Sequence, residues 1–263
     1  MASELQTRAV VGVALICVAV GALVAGGIPF WILVSIAGVL MQGEWADLMG
    51  ADARQKRLSM FAVCVPLAIM APDPLAAGPS FLALGLMIGA ALFAWIATRS
   101  SVIAVGVIYV VVPILSLLLL RFQSATGGAG GGLLLAFWAL GLVWATDIGA
   151  YFAGRAIGGP KLAPRISPSK TWSGLAGGVA AALAFGFLLN ALAGLPVRLA
   201  AASGLLAVAA QGGDLFESWI KRRAGVKDSG TLLPGHGGVL DRLDGAVAAA
   251  PLAALLVLAP GLV

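Results

Sequence analysis

The sequence predicts an all-α, polytopic integral membrane protein with about nine transmembrane helices and a cytoplasm-facing active site. Three observations carry this. Hydrophobic residues make up 61% of the 263 positions. Asp, Glu, Lys and Arg together make up only 10%, where a soluble domain carries about 25%. The apolar residues fall in continuous runs, several near the roughly 20 residues that a helix needs to cross the hydrocarbon core. This composition excludes an ordinary soluble enzyme, a disordered chain and a disulfide scaffold. A β-barrel is disfavoured because its strands alternate polar and apolar residues. Cys17 and Cys64 lie inside apolar runs, no CxxC occurs and His236 is the single histidine, so structural zinc has no support.

Nine apolar runs are expected as helices, near 9–26, 28–43, 58–71, 75–97, 101–120, 132–153, 173–194, 197–213 and 245–262. The first follows Arg8 and reads as an uncleaved span. The third is short and holds Pro66, which suits a buried or tilted half-span. The run after Arg198 is also short. Residues 1–125 are read as N-terminal transmembrane helices and 126–263 as the C-terminal catalytic region. The GGAGGG stretch at 127–132 reads as a flexible turn, and it lacks the Lys and Ser/Thr of a P-loop. Pairs such as Gly85/Gly89 and Gly174/Gly178 suit close helix packing.

Loop charge tests the parity of this arrangement. With the N-terminus in the cytoplasm, fourteen Lys and Arg residues fall inside, and only Arg121 and Arg198 fall outside. That is a strong positive-inside bias. The net charge of +5 then reports orientation and contact with the lipid bilayer. No nucleic-acid partner is expected.

The acids that remain are concentrated between 147 and 244, at predicted cytoplasmic ends of spans. Ionisable groups at membrane depth are costly and need partners or a function. In GDLFESWIKR, a helix puts Asp214, Glu217, Ser218 and Lys221 on one stripe at i, i+3, i+4 and i+7. This is either a solvated interfacial face or a site. In LPGHGGVLDRLD the glycines break regular structure, and their backbone amides can face a phosphate. A helix restarting near Val239 then carries Asp241 and Asp244 at i and i+3. Such a pair either complements the helix dipole or holds a hard cation such as Mg²⁺. His236 reads as a metal ligand, an acid–base group or a loop hydrogen-bonder, with a phosphate contact or loop lock preferred. Asp147, Tyr151 and Arg155 follow i, i+4, i+8 spacing on another span end. In RISPSKTWSG, Pro168 breaks the chain, Ser169 or Thr171 caps the next helix, and Lys170 adds positive potential.

The run from Ser218 to Asp244, SWIKRRAGVKDSGTLLPGHGGVLDRLD, resembles the signature of phosphatidate cytidylyltransferases, the CDP-diacylglycerol synthases. Its fixed positions fall on Ser218, Lys221, Arg222, Lys227, Asp228, Pro234, His236, Gly237, Gly238, Asp241, Arg242 and Asp244. DIGAYFAGR and SPSKTWSG are also similar to the family, though Ser169 and Ser173 stand where SPKKTWEG is commoner. The likeness covers roughly 144–247. It implies that CTP and phosphatidic acid react to CDP-diacylglycerol and pyrophosphate, with Mg²⁺ and room for a second cation, in a bacterial inner membrane and as a homodimer. It also implies catalytic roles for Asp214, Lys221, Lys227, Asp241 and Asp244, with Asp214, Asp241 and Asp244 as metal ligands. Substrate contacts are implied for Lys161, Ser167, Lys170, Thr171, Ser218, Arg222, His236, Gly237, Gly238 and Arg242. Asp147, Tyr151, Arg155, Glu217 and Asp228 are weaker candidates. The alternatives are the same chemistry on another lipid phosphate, or a transporter with a phosphate-binding vestibule. The latter would spread ionisable residues to mid-membrane and show a repeat between halves, and neither is evident.

Overall fold

A computed structural model describes residues 2–123, 131–233, 235 and 237–258. His236 and residues 127–130 of the glycine-rich stretch therefore lie outside the described residues. Among those described, nine α-helices form: α1 (Ala2–Ala25), α2 (Gly27–Leu48), α3 (Ala53–Ile69), α4 (Phe81–Thr98), α5 (Ser101–Phe122), α6 (Gly131–Ile157), α7 (Trp172–Ala193), α8 (Val197–Arg223) and α9 (Leu240–Leu258). Each expected apolar run lies largely on one of them. Six, α2 and α4 to α8, are long and apolar enough to cross a membrane. α3 has only 17 residues and opens on Arg54, Lys56 and Arg57. α9 has 19 residues and carries Asp241, Arg242 and Asp244 in its first turns.

Two details differ from the sequence reading. The run 197–213 and the polar stripe after it form one continuous helix, α8, of 27 residues. At about 1.5 Å per residue it is roughly 40 Å long, enough to cross the apolar core and carry the stripe beyond it. A two-stranded antiparallel ribbon also interrupts the helices. β1 (Lys161–Ala163) pairs with β2 (Ser167–Thr171), with Lys161 opposite Thr171 and Ala163 opposite Ser167.

The chain divides into two units. The first comprises 1–122 and 223–243, so much of the signature segment groups with the N-terminal helices. Its core includes Phe30, Met41, Val63, Leu67, Val110 and Leu118. Trp45 fixes α2 against α5, with its Nε1 donating to the Val102 carbonyl at 2.9 Å and its ring 4.8 Å from that of Tyr109. A capping box starts α3: Asp52 accepts from the Arg54 and Gln55 amides, while Gln55 accepts from the Asp52 amide. Arg121 donates to the Leu23 and Val24 carbonyls, satisfying the end of α1.

The second unit comprises 123–222 and 244–263. Here glycine permits very close helix approach. A Cβ at Gly149 would fall 2.6 Å from the Gly177 carbonyl oxygen, and one at Gly178 would fall 2.9 Å from that of Thr146. The expected packing of Gly174/Gly178 is therefore real and joins α6 to α7. A Cβ at Gly85 or Gly89 on α4 would meet nothing within 4 Å among the described residues, so the packing expected of that pair is not formed with them. Large apolar side chains such as Phe81, Trp95, Ile96 and Leu192 are exposed along the helices, as lipid-facing surfaces require.

Candidate active site

α6, β2, α7 and α8 enclose a cavity of about 440 Å³ within the second unit. α6 contributes Asp147, Tyr151 and Arg155 at the spacing that puts them on one face; β2 contributes Lys170, and α8 contributes Gln211 and Asp214. A chain of polar contacts crosses it. Gln211 Nε2 donates to Asp147 Oδ1 at 3.2 Å, and Lys170 Nζ donates to Gln211 Oε1 at 3.0 Å. Lys170 also forms an ion pair with Asp214. Asp214 Oδ1 accepts from Ser218 Oγ, one turn further along α8, at 3.3 Å. At the exposed edge, Arg155 donates to the Tyr151 hydroxyl at 2.9 Å. The cavity thus presents two carboxylates and two cations among its described lining residues.

Local sequence explains how Lys170 is aimed. Thr171 caps α7, its hydroxyl accepting from the Gly174 amide at 3.0 Å, which realises one of the two expected caps. Ser173 donates to the Gly158 carbonyl, and the Trp172 amide donates to the Pro160 carbonyl at 3.1 Å. These ties fix the ribbon end from which Lys170 projects. Lys161 is exposed and Ser167 half-buried on the ribbon, and neither lines the cavity.

Further along α8, Lys221 Nζ donates to Glu217 Oε1 at 3.0 Å, and both residues are buried. In low dielectric each charge offsets part of the other's desolvation cost. Arg222 is exposed. α9 meets α8 at Gly213, where a Cβ would lie 2.6 Å from the Asp244 carbonyl oxygen. This approach sets Asp244 beside the turn that carries Asp214.

The signature loop belongs to the first unit. Lys227, Asp228 and Arg242 are exposed there, while Ser229 and Asp241 are buried. Asp241 Oδ2 accepts from the Ser229 amide at 2.8 Å, the Ser229 hydroxyl at 3.0 Å and the Gly238 amide at 2.8 Å. The Gly238 amide, read from the sequence as facing a phosphate, is turned towards Asp241. Gly237 has a φ of +81°, and a Cβ on it would fall 2.6 Å from Asp241 Oδ2. Both conformation and space therefore demand glycine.

Three residues of these networks escape sequence reasoning. Gln211 is a neutral side chain inside an apolar run. Glu44 ends a span and reads as an ordinary interfacial acid. Ser229 follows the acid Asp228 in a loop. The only sequence signal for Glu44 is that acids are rare in the first half, where it stands with Glu4, Asp47, Asp52 and Asp73.

Similarity to known proteins covers almost the whole chain. Residues 6–259 match the model of the cytidylyltransferase family. A phosphatidate cytidylyltransferase of Brucella suis biovar 1 (strain 1330) is 41% identical over 260 residues, which is 95% of this chain and 92% of that protein. One from Haemophilus influenzae is 46% identical over 146 residues, half of this chain and 48% of its own. One from Bacillus subtilis is 48% identical over 116 residues, 43% of each.

Proposed function

The chain belongs to the cytidylyltransferase family and is a CTP-dependent nucleotidyltransferase, and from that premise we propose that it transfers the cytidylyl group of CTP to the phosphate of phosphatidic acid. The products are CDP-diacylglycerol and pyrophosphate. The observation that carries this reading is the cavity of the second unit, whose lining pairs Lys170 and Arg155 with Asp147 and Asp214. Its cations suit phosphate-bearing substrates.

A phosphate oxygen of the lipid attacks the α-phosphorus of CTP in line, and pyrophosphate leaves with the broken bond's electron pair. The second pKa of a phosphate monoester is about 6, so the attacking oxygen is already anionic near neutral pH. No general base is required. The main obstacle is repulsion between two polyanions, which cations in a pre-arranged site offset. Lys170, held between Asp214 and Gln211, supplies a fixed positive charge. Arg155, steadied by Tyr151, is the cation proposed to meet the lipid headgroup. Lys227 and Arg242 on the signature loop are exposed cations for substrate phosphate.

The donors fit Mg²⁺, a hard cation that binds one or two carboxylates and completes its shell with waters and phosphate oxygens. Among the described residues no group of three or more His, Cys, Asp or Glu side chains is placed to hold a metal ion. Asp214 and Asp244 would hold it in the second unit; Asp241 is anchored to its own loop through Oδ2. Bound there, Mg²⁺ would neutralise charge on the triphosphate and on the departing pyrophosphate.

The positive-inside bias supports a cytoplasm-facing site, and the bacterial relatives support an inner membrane; nine spans and a homodimer complete the proposal. The test of the reaction is pyrophosphate release by purified protein in detergent. Release should require CTP, phosphatidic acid and Mg²⁺ together. Release that ignores phosphatidic acid would remove it as the acceptor.

A further inference from the structure

Glu44, at the end of α2, is buried to 7% exposure, and no reading of the signature includes it. A buried carboxylate in an apolar helix needs compensation, and here the signature loop supplies it. Glu44 Oε1 accepts from the Val239 amide at 2.8 Å. Oε2 accepts from the Leu240 amide at 2.8 Å and from the Ser229 hydroxyl at 2.9 Å. A side chain from α2 therefore caps α9, where its charge also complements the helix N-terminus. The Ser229 hydroxyl stands 2.9 Å from Glu44 and 3.0 Å from Asp241, so it bridges the two carboxylates.

The glycines of the signature make room for this arrangement. A Cβ at Gly238 would fall 2.5 Å from Glu44 Oε2 and 2.3 Å from Ser229 Oγ; one at Gly230 would fall 3.0 Å from Glu44 Oε1. The Gly237–Gly238 pair thus lets two carboxylates, one from the loop's own helix and one from α2, approach the same stretch of backbone. We propose that Glu44 is a positioning residue for cytidylyl transfer: it fixes the segment 229–241, and with it Asp241 and the exposed cations Lys227 and Arg242, in the reactive arrangement. The proposal rests on the reaction proposed above.

Glu44→Gln is a sharp probe because shape is kept and the acceptor pattern is not. Whichever way the amide turns, its NH₂ faces the Val239 or the Leu240 amide, donor against donor. The rest of α2 is held independently, by Trp45 on Val102 and Tyr109 and by Gln42 on the Ile103 carbonyl. In full-length protein, kcat should fall about 100-fold, as a displacement of roughly 1 Å can cause. KM for CTP should stay within about three-fold, because Glu44 touches no substrate. Hydrogen exchange should quicken at residues 238–241 and stay unchanged in α2 and α5. Trp45→Phe, which removes the indole hydrogen bond and some buried ring packing, should lower thermal stability and leave kcat within about two-fold. That contrast separates positioning from a general loss of fold.

Wild-type kcat in a folded Glu44→Gln protein would overturn the proposal, as would a loss confined to KM. If Glu44→Gln does not fold, Ser229→Ala decides. It cuts the bridge from the loop side, and a kcat loss at unchanged KM supports the proposal whereas full activity overturns it. If the wild-type protein makes no CDP-lipid, the reaction reading fails instead, and the two failures are distinct.

Discussion

Lys170 holds Asp214 and Gln211 at once, so replacing it removes both a cation and the fixed orientation of two neighbours. Lys170→Met should lower kcat/KM by about 10²- to 10³-fold, the scale at which a group stabilising developing charge acts; steady-state kinetics of the folded variant checks this. Gln211→Ala should cost about ten-fold, or roughly 1.4 kcal/mol of barrier, because it frees Asp147 and Lys170 from one another without removing a charge. Lys170 and Thr171 were legible in the sequence because a helix cap is a local signal that spans three residues. Gln211 and Glu44 were not, because what distinguishes them is a partner 41 and 195 positions away. Asp241 was legible as a chemical group, whereas the three donors that occupy its Oδ2 were not.

Helix elements were readable wherever apolar runs were long and ended at a cap. The restart expected near Val239 occurs at Leu240, because the glycines before it exclude an earlier start. The apolar run ends near 213, and α8 continues through it into the polar stripe. Gly213 serves packing: a Cβ there would lie 2.6 Å from the Asp244 carbonyl and 2.9 Å from the Ala248 side chain. Gly213→Leu should therefore destabilise the protein by about 1–3 kcal/mol through overpacking and also lower activity by moving Asp244. Thr171→Ala should cost about 1 kcal/mol of stability, the usual loss of a side-chain cap. Thermal unfolding in a single detergent compares both variants with wild type.

Taken as a whole molecule, the chain has little charge and has it in few places, so its membrane character is plain from composition alone. The grouping of 223–243 with the N-terminal helices was not, because long-range contacts such as those of Glu44 with Ser229, Val239 and Leu240 leave no local pattern. The proposed orientation rests on the basic loops and is testable in intact cells. With Cys17 and Cys64 replaced by Ser, a membrane-impermeant thiol reagent should label Ser124→Cys and spare Ile157→Cys; the reverse pattern would invert the topology.

Positional labelling of CTP tests the central claim most directly. Purified protein is given phosphatidic acid and Mg²⁺ with CTP labelled at either the α- or the γ-phosphate, and the lipid is extracted. The α-label should enter a CDP-lipid, the γ-label should leave as pyrophosphate, and EDTA should abolish both. Either γ-label in the lipid, or no α-label there from a preparation that demonstrably binds CTP, would contradict transfer of the cytidylyl group to phosphatidic acid.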